Sequence, residues 1–244
     1  MASADTIQML HEMRLSVMAS CYRDQASAPG AADMTFDERF SDVVCAEYFA
    51  RRDNKRTRLL RAACLPFPDA RTDGVMYLPD RGLDRPQILE LSNCAWVDER
   101  LNVIVTGASG SGKTWLACAL GAAACETFHT ARYARMPQML DELAAARDDS
   151  WLRAKKKYES CDVLIVDDWL LEPVEGAAAR ELLEIVEARH RRRSTIMCSQ
   201  FAASGWHDKI GPGAVADAVV DRLIYNSHSI HIKGDESMRK RVSR

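Results

Sequence analysis

The stretch Gly107-Ala108-Ser109-Gly110-Ser111-Gly112-Lys113-Thr114 reads G-A-S-G-S-G-K-T and satisfies the pattern G-x-x-x-x-G-K-[ST] in full. It follows the apolar run Leu101-Asn102-Val103-Ile104-Val105-Thr106, as a phosphate-binding loop follows a strand. Gly107, Gly110 and Gly112 let backbone N–H groups turn inward with no Cβ in the way. Those donors then cradle the β- and γ-phosphates of a nucleotide at the N-terminus of the next helix. In this reading Lys113 neutralises phosphate charge and Thr114 holds Mg²⁺, while Ala108, Ser109, Ser111 and Trp115 complete the nucleotide-binding stretch.

A phosphate loop needs an acid at the carboxyl end of a neighbouring strand to fix the metal that bridges the phosphates. Cys161-Asp162-Val163-Leu164-Ile165-Val166-Asp167-Asp168 has the continuous apolar character of a buried parallel strand and ends in two acids. Asp167 fits the Mg²⁺ role, and Asp168 is placed to orient or deprotonate the attacking water. A further strand, Ser194 to Gln200, ends in Ser199 and Gln200, polar groups suited to the γ-phosphate or that water. A simple strand-terminating turn accounts for the pair equally well. Helices are expected at Trp115–Glu126, Met136–Ala146, Ala177–His190 and Val215–Asn226, and strands at Thr130–Ala134 and Ser229–Lys233. The alternation defines an α/β fold with a parallel sheet flanked by helices.

The hundred residues before the loop read as helical. Thr6 to Tyr22 has the spacing of one amphipathic helix, and Pro29 and Gly30 mark a break after it. Thr35-Phe36-Asp37-Glu38 is a capping box that opens a second helix running to about Ala63. Pro66, Pro68 and Gly74 mark an irregular linker, and Leu83 to Asn93 gives a short helix. The expected organisation is a helical N-terminal module over 1–68, a linker and short helix over 69–98, and a nucleotide-binding domain over 99–244.

With 47% hydrophobic and 28% charged residues in 244, the chain has the composition of an ordinary globular protein. No run approaches the roughly 18 apolar residues that cross a bilayer, and the first residues lack a signal-peptide pattern, so a cytoplasmic location is expected. The eight cysteines are scattered without a C-x-x-C pair, and buried free thiols are expected. A net charge of −2 argues against a uniformly basic surface, yet the cations cluster. Arg51, Arg52, Lys55, Arg56, Arg58 and Arg61 share one helix, with Arg51, Lys55 and Arg58 on one side of it, suited to lie along phosphates. Lys155, Lys156 and Lys157 form a second cluster, Arg189 to Arg193 a third, and Arg239, Lys240, Arg241 and Arg244 a tail. Taken singly, any of them reads as a solvated helix face.

The succession Gly107–Thr114, Leu164–Asp168, Ser199-Gln200, Asp221-Arg222-Leu223 and Lys233-Gly234-x-x-Ser237-x-Arg239 resembles the IstB/DnaC branch of AAA+ ATPases. Phe36-Asp37-Glu38-Arg39-Phe40, Glu47-x-x-x-Arg51-x-x-Asn54-Lys55-Arg56 and Leu65-Pro66-Phe67-Pro68 are similar to the IstB side of that branch. The resemblance implies an ATPase, using ATP and Mg²⁺, that helps a transposase by assembling on duplex target DNA. It implies a homo-oligomer with ATP between subunits, in which Ser199 and Gln200 occupy the sensor-1 region. Arg222 then resembles an arginine finger, whose permanent charge can offset that of a neighbour's γ-phosphate, and Arg239 a sensor-2 arginine. DNA contact through phosphates by Arg51, Arg52, Lys55, Arg56, Arg58 and Lys155–Lys157 would be tolerant of sequence. A DnaC-like helicase loader shares the core and is the nearest rival, followed by a module that binds ATP and scarcely hydrolyses it.

Overall fold

The structure is a computed structural model that describes residues 3–30, 33–146, 149–234, 237–238 and 240. It divides into two compact units, Met1–Arg58 and Leu59–Arg244.

The first unit holds α1 (Ala4–Glu12), α2 (Ser16–Gln25) and most of α3 (Phe36–Ala63), within which the unit boundary falls. The single helix expected over Thr6–Tyr22 is two helices, because Arg14 sits in the left-handed region at φ 59° and reverses the chain. Tertiary contacts sustain the break. The Arg51 guanidinium donates to the Arg14 carbonyl at 2.8 Å, and Glu47 Oε2 accepts from the Met18 amide at 2.9 Å. Met18 lies in the first turn of α2, so the Glu47 carboxylate from α3 caps an exposed helix N-terminus. The capping box opening α3 forms as expected: Thr35 N donates to Glu38 Oε2 at 2.8 Å and Glu38 N to Thr35 Oγ1 at 3.3 Å. The Thr35 amide, joined by its hydroxyl donating to the same oxygen at 2.8 Å, holds the Glu38 carboxyl below its ordinary pKa.

In the second unit, five parallel strands stand in the order β2-β3-β4-β1-β5: β1 (Asn102–Gly107), β2 (Ala131–Arg135), β3 (Val163–Asp167), β4 (Ser194–Ser199) and β5 (Ser227–Ile232). β3 and β4 are buried along their whole length, which is why they read as unbroken apolar runs. Helix α6 (Lys113–Glu126) lies in the core of one face, its Ala- and Cys-rich sequence allowing close approach to the sheet. The other face is covered by α7 (Met136–Ala145), α8 (Asp149–Glu159), α9 (Gly176–Arg189), α10 (Trp206–Ile210) and α11 (Ala214–Ile224). The segment read as an irregular linker is irregular but buried in part. Ala70 and Val75 join Ile88 and Leu91 of α4 (Arg85–Ser92) and Trp96 and Val97 of α5 (Ala95–Asp98) in the core around α6.

Two expectations are corrected. Arg189, read with its neighbours as a solvated basic face, is buried and donates to the carbonyls of Tyr158 (2.8 Å), Cys161 (2.9 Å) and Ser194 and to Thr195 Oγ1 (3.0 Å). A guanidinium has five donors, and here they close the turns that lead into β3 and β4. The cysteines are free, but only Cys94, Cys118, Cys125, Cys161 and Cys198 are buried; Cys45 and Cys64 are exposed. Burial pushes the Cys118 and Cys125 thiols up to about 11, which makes them poor nucleophiles.

Candidate nucleotide site

Because the strands are parallel, their carboxyl ends share one edge of the sheet, where ligands of open α/β folds bind. Register sets Thr106 beside Ser199, Gly107 beside Ile232 and Arg135 beside Asp167. The phosphate loop leaves β1 at this edge. Gly110 (φ 76°) and Gly112 (φ 98°) take left-handed conformations, and Gly112 caps the N-terminus of α6. Close approach also excludes a side chain at Gly107, where a Cβ would lie 2.5 Å from the Ile232 carbonyl oxygen. Lys113 is buried, and its Nζ donates to the Gly107 and Ala108 carbonyls at 2.9 Å each, drawing the loop around the ammonium. Burial lowers the Lys113 pKa; the nearby Asp167 and Asp168 act the other way.

Thr114 Oγ1 donates to Asp167 Oδ2 at 2.8 Å, uniting the hydroxyl that opens α6 with the acid that ends β3. Tyr133 on β2 donates its hydroxyl to the same oxygen at 2.9 Å, and the Asp168 amide donates to Oδ1 at 3.0 Å. Burial and the adjacent Asp167 carboxylate raise the Tyr133 pKa, so it stays a donor. A hydroxyl and a carboxylate meeting at the mouth of the loop are the hard oxygen ligands that Mg²⁺ takes. The glycine loop and its lysine likewise fit a nucleotide's phosphates. Asp168 follows in the left-handed region (φ 53°), and Arg135 holds its carboxylate: Nε and Nη2 both reach Oδ2, at 2.8 and 2.7 Å.

The remaining expected residues are dispersed. Ser199 is buried, its hydroxyl donating to the Trp169 carbonyl at 3.0 Å and accepting from the Phe201 amide at 3.1 Å, whereas Gln200 is exposed. Arg222 on α11 donates to Glu187 of α9 at 2.9 Å and to the Ala218 carbonyl at 2.9 Å, pairing with neither Asp217 nor Asp221. Met238 N donates to the Gly110 carbonyl at 2.9 Å, bringing the end of the described chain to the loop; Arg239, like Arg241 and Arg244, lies outside the described residues. Residues 51–58 are exposed along α3, though Arg51 also pairs with Glu47 (2.7 Å) and Arg52 donates to Tyr48 (2.9 Å). Lys155 pairs with Glu184 and Lys157 with Glu142 (2.7 Å), leaving Lys156 as the exposed member of that cluster.

Three site residues escaped the sequence reading: Tyr133, Arg135 and Arg81. Tyr133 lies within the strand expected over Thr130–Ala134, whereas Arg135 falls just past its expected end and is set beside Asp167 only by the observed register of β2 on β3. Arg81 carries no motif. It is buried and donates to the Met76 and Ser111 carbonyls at 2.8 and 2.9 Å, tying the segment before β1 to the phosphate loop.

A five-stranded parallel sheet with a glycine loop after one central strand and a paired acid after another defines a phosphate-loop protein of the AAA+ type. Solved structures share that fold. DnaI aligns with a TM-score of 0.56 at 18% identity over 73% of this chain and 91% of its own. AMPPCP-bound DnaA from Aquifex aeolicus aligns at 0.56 and 18% over 72% of this chain but only 53% of the DnaA chain. Within that class the chain belongs to the IstB-like ATP binding protein family, whose model matches residues 8–244. It is 38% identical over 245 residues to an insertion-sequence ATP-binding protein of Sinorhizobium fredii, covering 100% of this chain and 99% of the relative. It is 37% identical over 205 residues to the ATP-binding protein of insertion sequence IS1162 from Pseudomonas fluorescens, covering 84% and 89%.

Proposed function

We propose that this chain is an ATP-hydrolysing transposition helper that assembles on duplex DNA with little sequence preference and recruits a transposase. The observation that carries the reading is the meeting of Thr114 and Asp167 at the mouth of the phosphate loop. Relatives named as insertion-sequence ATP-binding proteins support the biological setting.

In this reading the loop amides and Lys113 bind the phosphates, and Thr114 and Asp167 hold Mg²⁺. The metal, when bound, neutralises charge on the phosphate oxygens. Asp168 takes a proton from the water that attacks the γ-phosphorus, and the bond to the ADP oxygen breaks. Gln200 carries the sensing role, since the Ser199 hydroxyl is spent within its turn. Arg222 acts on the ATP of a neighbouring subunit, leaving Glu187 to do so. The exposed cations of α3 and Lys156 meet DNA phosphates.

A second reading, an ATP-gated binding module with negligible turnover, is favoured by one observation, the double engagement of Asp168 by Arg135. The test is binding to duplex and single-stranded DNA with and without ATP and Mg²⁺, with the size of each complex measured for native protein and Arg222→Ala. Multimers on duplex that require ATP and shrink in Arg222→Ala support the helper. Preference for single strands would replace it with a helicase loader, and assembly without phosphate release with the gated module.

A further inference from the structure

Arg81 lies outside the phosphate loop in sequence, yet its side chain reaches the loop's backbone. It ends a short helical turn, Pro79–Arg81, that is held from two sides. The Arg81 amide donates to the Leu78 carbonyl at 3.0 Å, and the Arg81 carbonyl accepts from the amide of Lys233, the residue after β5, at 2.9 Å. From that anchored turn the buried guanidinium donates to the Met76 carbonyl at 2.8 Å and to the Ser111 carbonyl at 2.9 Å.

Ser111 is held through its backbone. Its hydroxyl is buried with no hydrogen-bond partner among the described residues, while its amide donates to the Ala108 carbonyl at 3.2 Å and its carbonyl accepts from Arg81. That carbonyl shares a peptide plane with the N–H of Gly112, the N-cap of α6. In a planar trans peptide the two groups point in opposite directions. A guanidinium that fixes the carbonyl therefore turns the Gly112 N–H away from itself. A charged donor on the carbonyl also polarises the peptide, which makes its N–H a stronger donor.

We propose that Arg81 is a positioning residue for the nucleotide's β-phosphate: through the Ser111–Gly112 peptide it aims and strengthens the Gly112 amide that binds this group. Arg81 itself touches no reacting atom, and its effect is confined to ligands that carry a β-phosphate. This rests on the nucleotide-binding reading of the phosphate loop.

The experiment measures equilibrium binding of fluorescent ATP, ADP and AMP analogues to the full chain for native protein, Arg81→Gln and Arg81→Lys. The thermal unfolding midpoint of each nucleotide-free protein reports that it is folded. Arg81→Gln is expected to weaken ATP and ADP about tenfold, the scale of one charge-assisted hydrogen bond, while AMP affinity changes by less than about twofold. Arg81→Lys keeps the charge but not the planar fork and should recover part of the loss. A purely structural role would lower all three affinities together. Undiminished ATP and ADP binding in Arg81→Gln, or an equal loss for AMP, overturns the proposal while native binding stands. Should Arg81→Gln not fold, the same comparison in Arg81→Lys decides, with a loss of about threefold expected for ATP and ADP and none for AMP. Failure of the native protein to bind ATP overturns the nucleotide reading and the proposal with it.

Discussion

Thr114 and Asp167 are 53 positions apart in sequence and 2.8 Å apart in space, joined by a hydrogen bond from hydroxyl to carboxylate. A parallel sheet brings this about: β1 and β3 deliver the phosphate loop and the acid to one edge, with β4 between them. These two oxygens would hold magnesium in the proposed mechanism, so replacing either partner should affect the metal-dependent step more than the fold.

Asp167→Asn is expected to lower the rate of ATP hydrolysis by about 100-fold or more, on the scale of losing one charged group at a developing phosphoryl charge. ATP affinity measured without Mg²⁺ should change little. Equal hydrolysis by Asp167→Asn and native protein would remove Asp167 from the metal site.

Gly112→Ala places a Cβ at φ 98° and 3.0 Å from Arg81 Nη2. Left-handed backbone costs a residue with a Cβ about 1–2 kcal/mol, and relief would disturb the turn that aims the amides of α6. Titration with a fluorescent ATP analogue should show weaker binding, by about tenfold or more for a distortion of that energy, with the thermal unfolding midpoint falling modestly.

Arg189→Ala should destabilise the second unit by about 3 kcal/mol or more, since it strips donors from several buried carbonyls at once. Arg222→Ala, which loses one partly exposed ion pair with Glu187, should cost about 1 kcal/mol or less in the same urea titration. Comparable losses would mean that Arg222 is structural as well.

Asp162 joins the start of β3 to Thr130, whose amide and hydroxyl donate to its carboxylate at 2.8 and 2.7 Å, and to Arg193 at 2.7 Å. Burial opposes ionisation, but those partners outweigh it and hold the pKa below the ordinary value. A depressed folded-state pKa gives stability that is present above the unfolded value, near pH 3.9, and is lost as pH falls through the folded value. Asp162→Asn should therefore reduce stability by about 1–2 kcal/mol at pH 7 and flatten the acid limb of the stability profile. An unchanged limb would mean that another carboxylate governs it.

The parts of the fold legible in the sequence are those where local pattern and tertiary role coincide. The short, β-branched-rich apolar runs read as buried strands, and the loop glycines announce backbone geometry directly. Membership of the IstB-like family agrees with the resemblance those motifs carry. The break at Arg14 was hidden because apolar spacing continues through it, and the partners that stabilise the turn come from α3. Short α5 and α10 lack a full amphipathic period, and α8 is dominated by its lysines. Arg189 resembled its solvated neighbours because nothing local distinguishes a guanidinium that faces carbonyls from one that faces water. Arg81 and Arg135 were illegible for the same reason.

The most direct measurement of the central claim is sedimentation of the protein with a short duplex, with and without ATP and Mg²⁺, for native chain and Lys113→Ala. The account predicts large, salt-sensitive complexes that form only with nucleotide in the native protein and fail to form in Lys113→Ala. Complexes of equal size without nucleotide, or in Lys113→Ala with it, would contradict control of assembly by the phosphate loop.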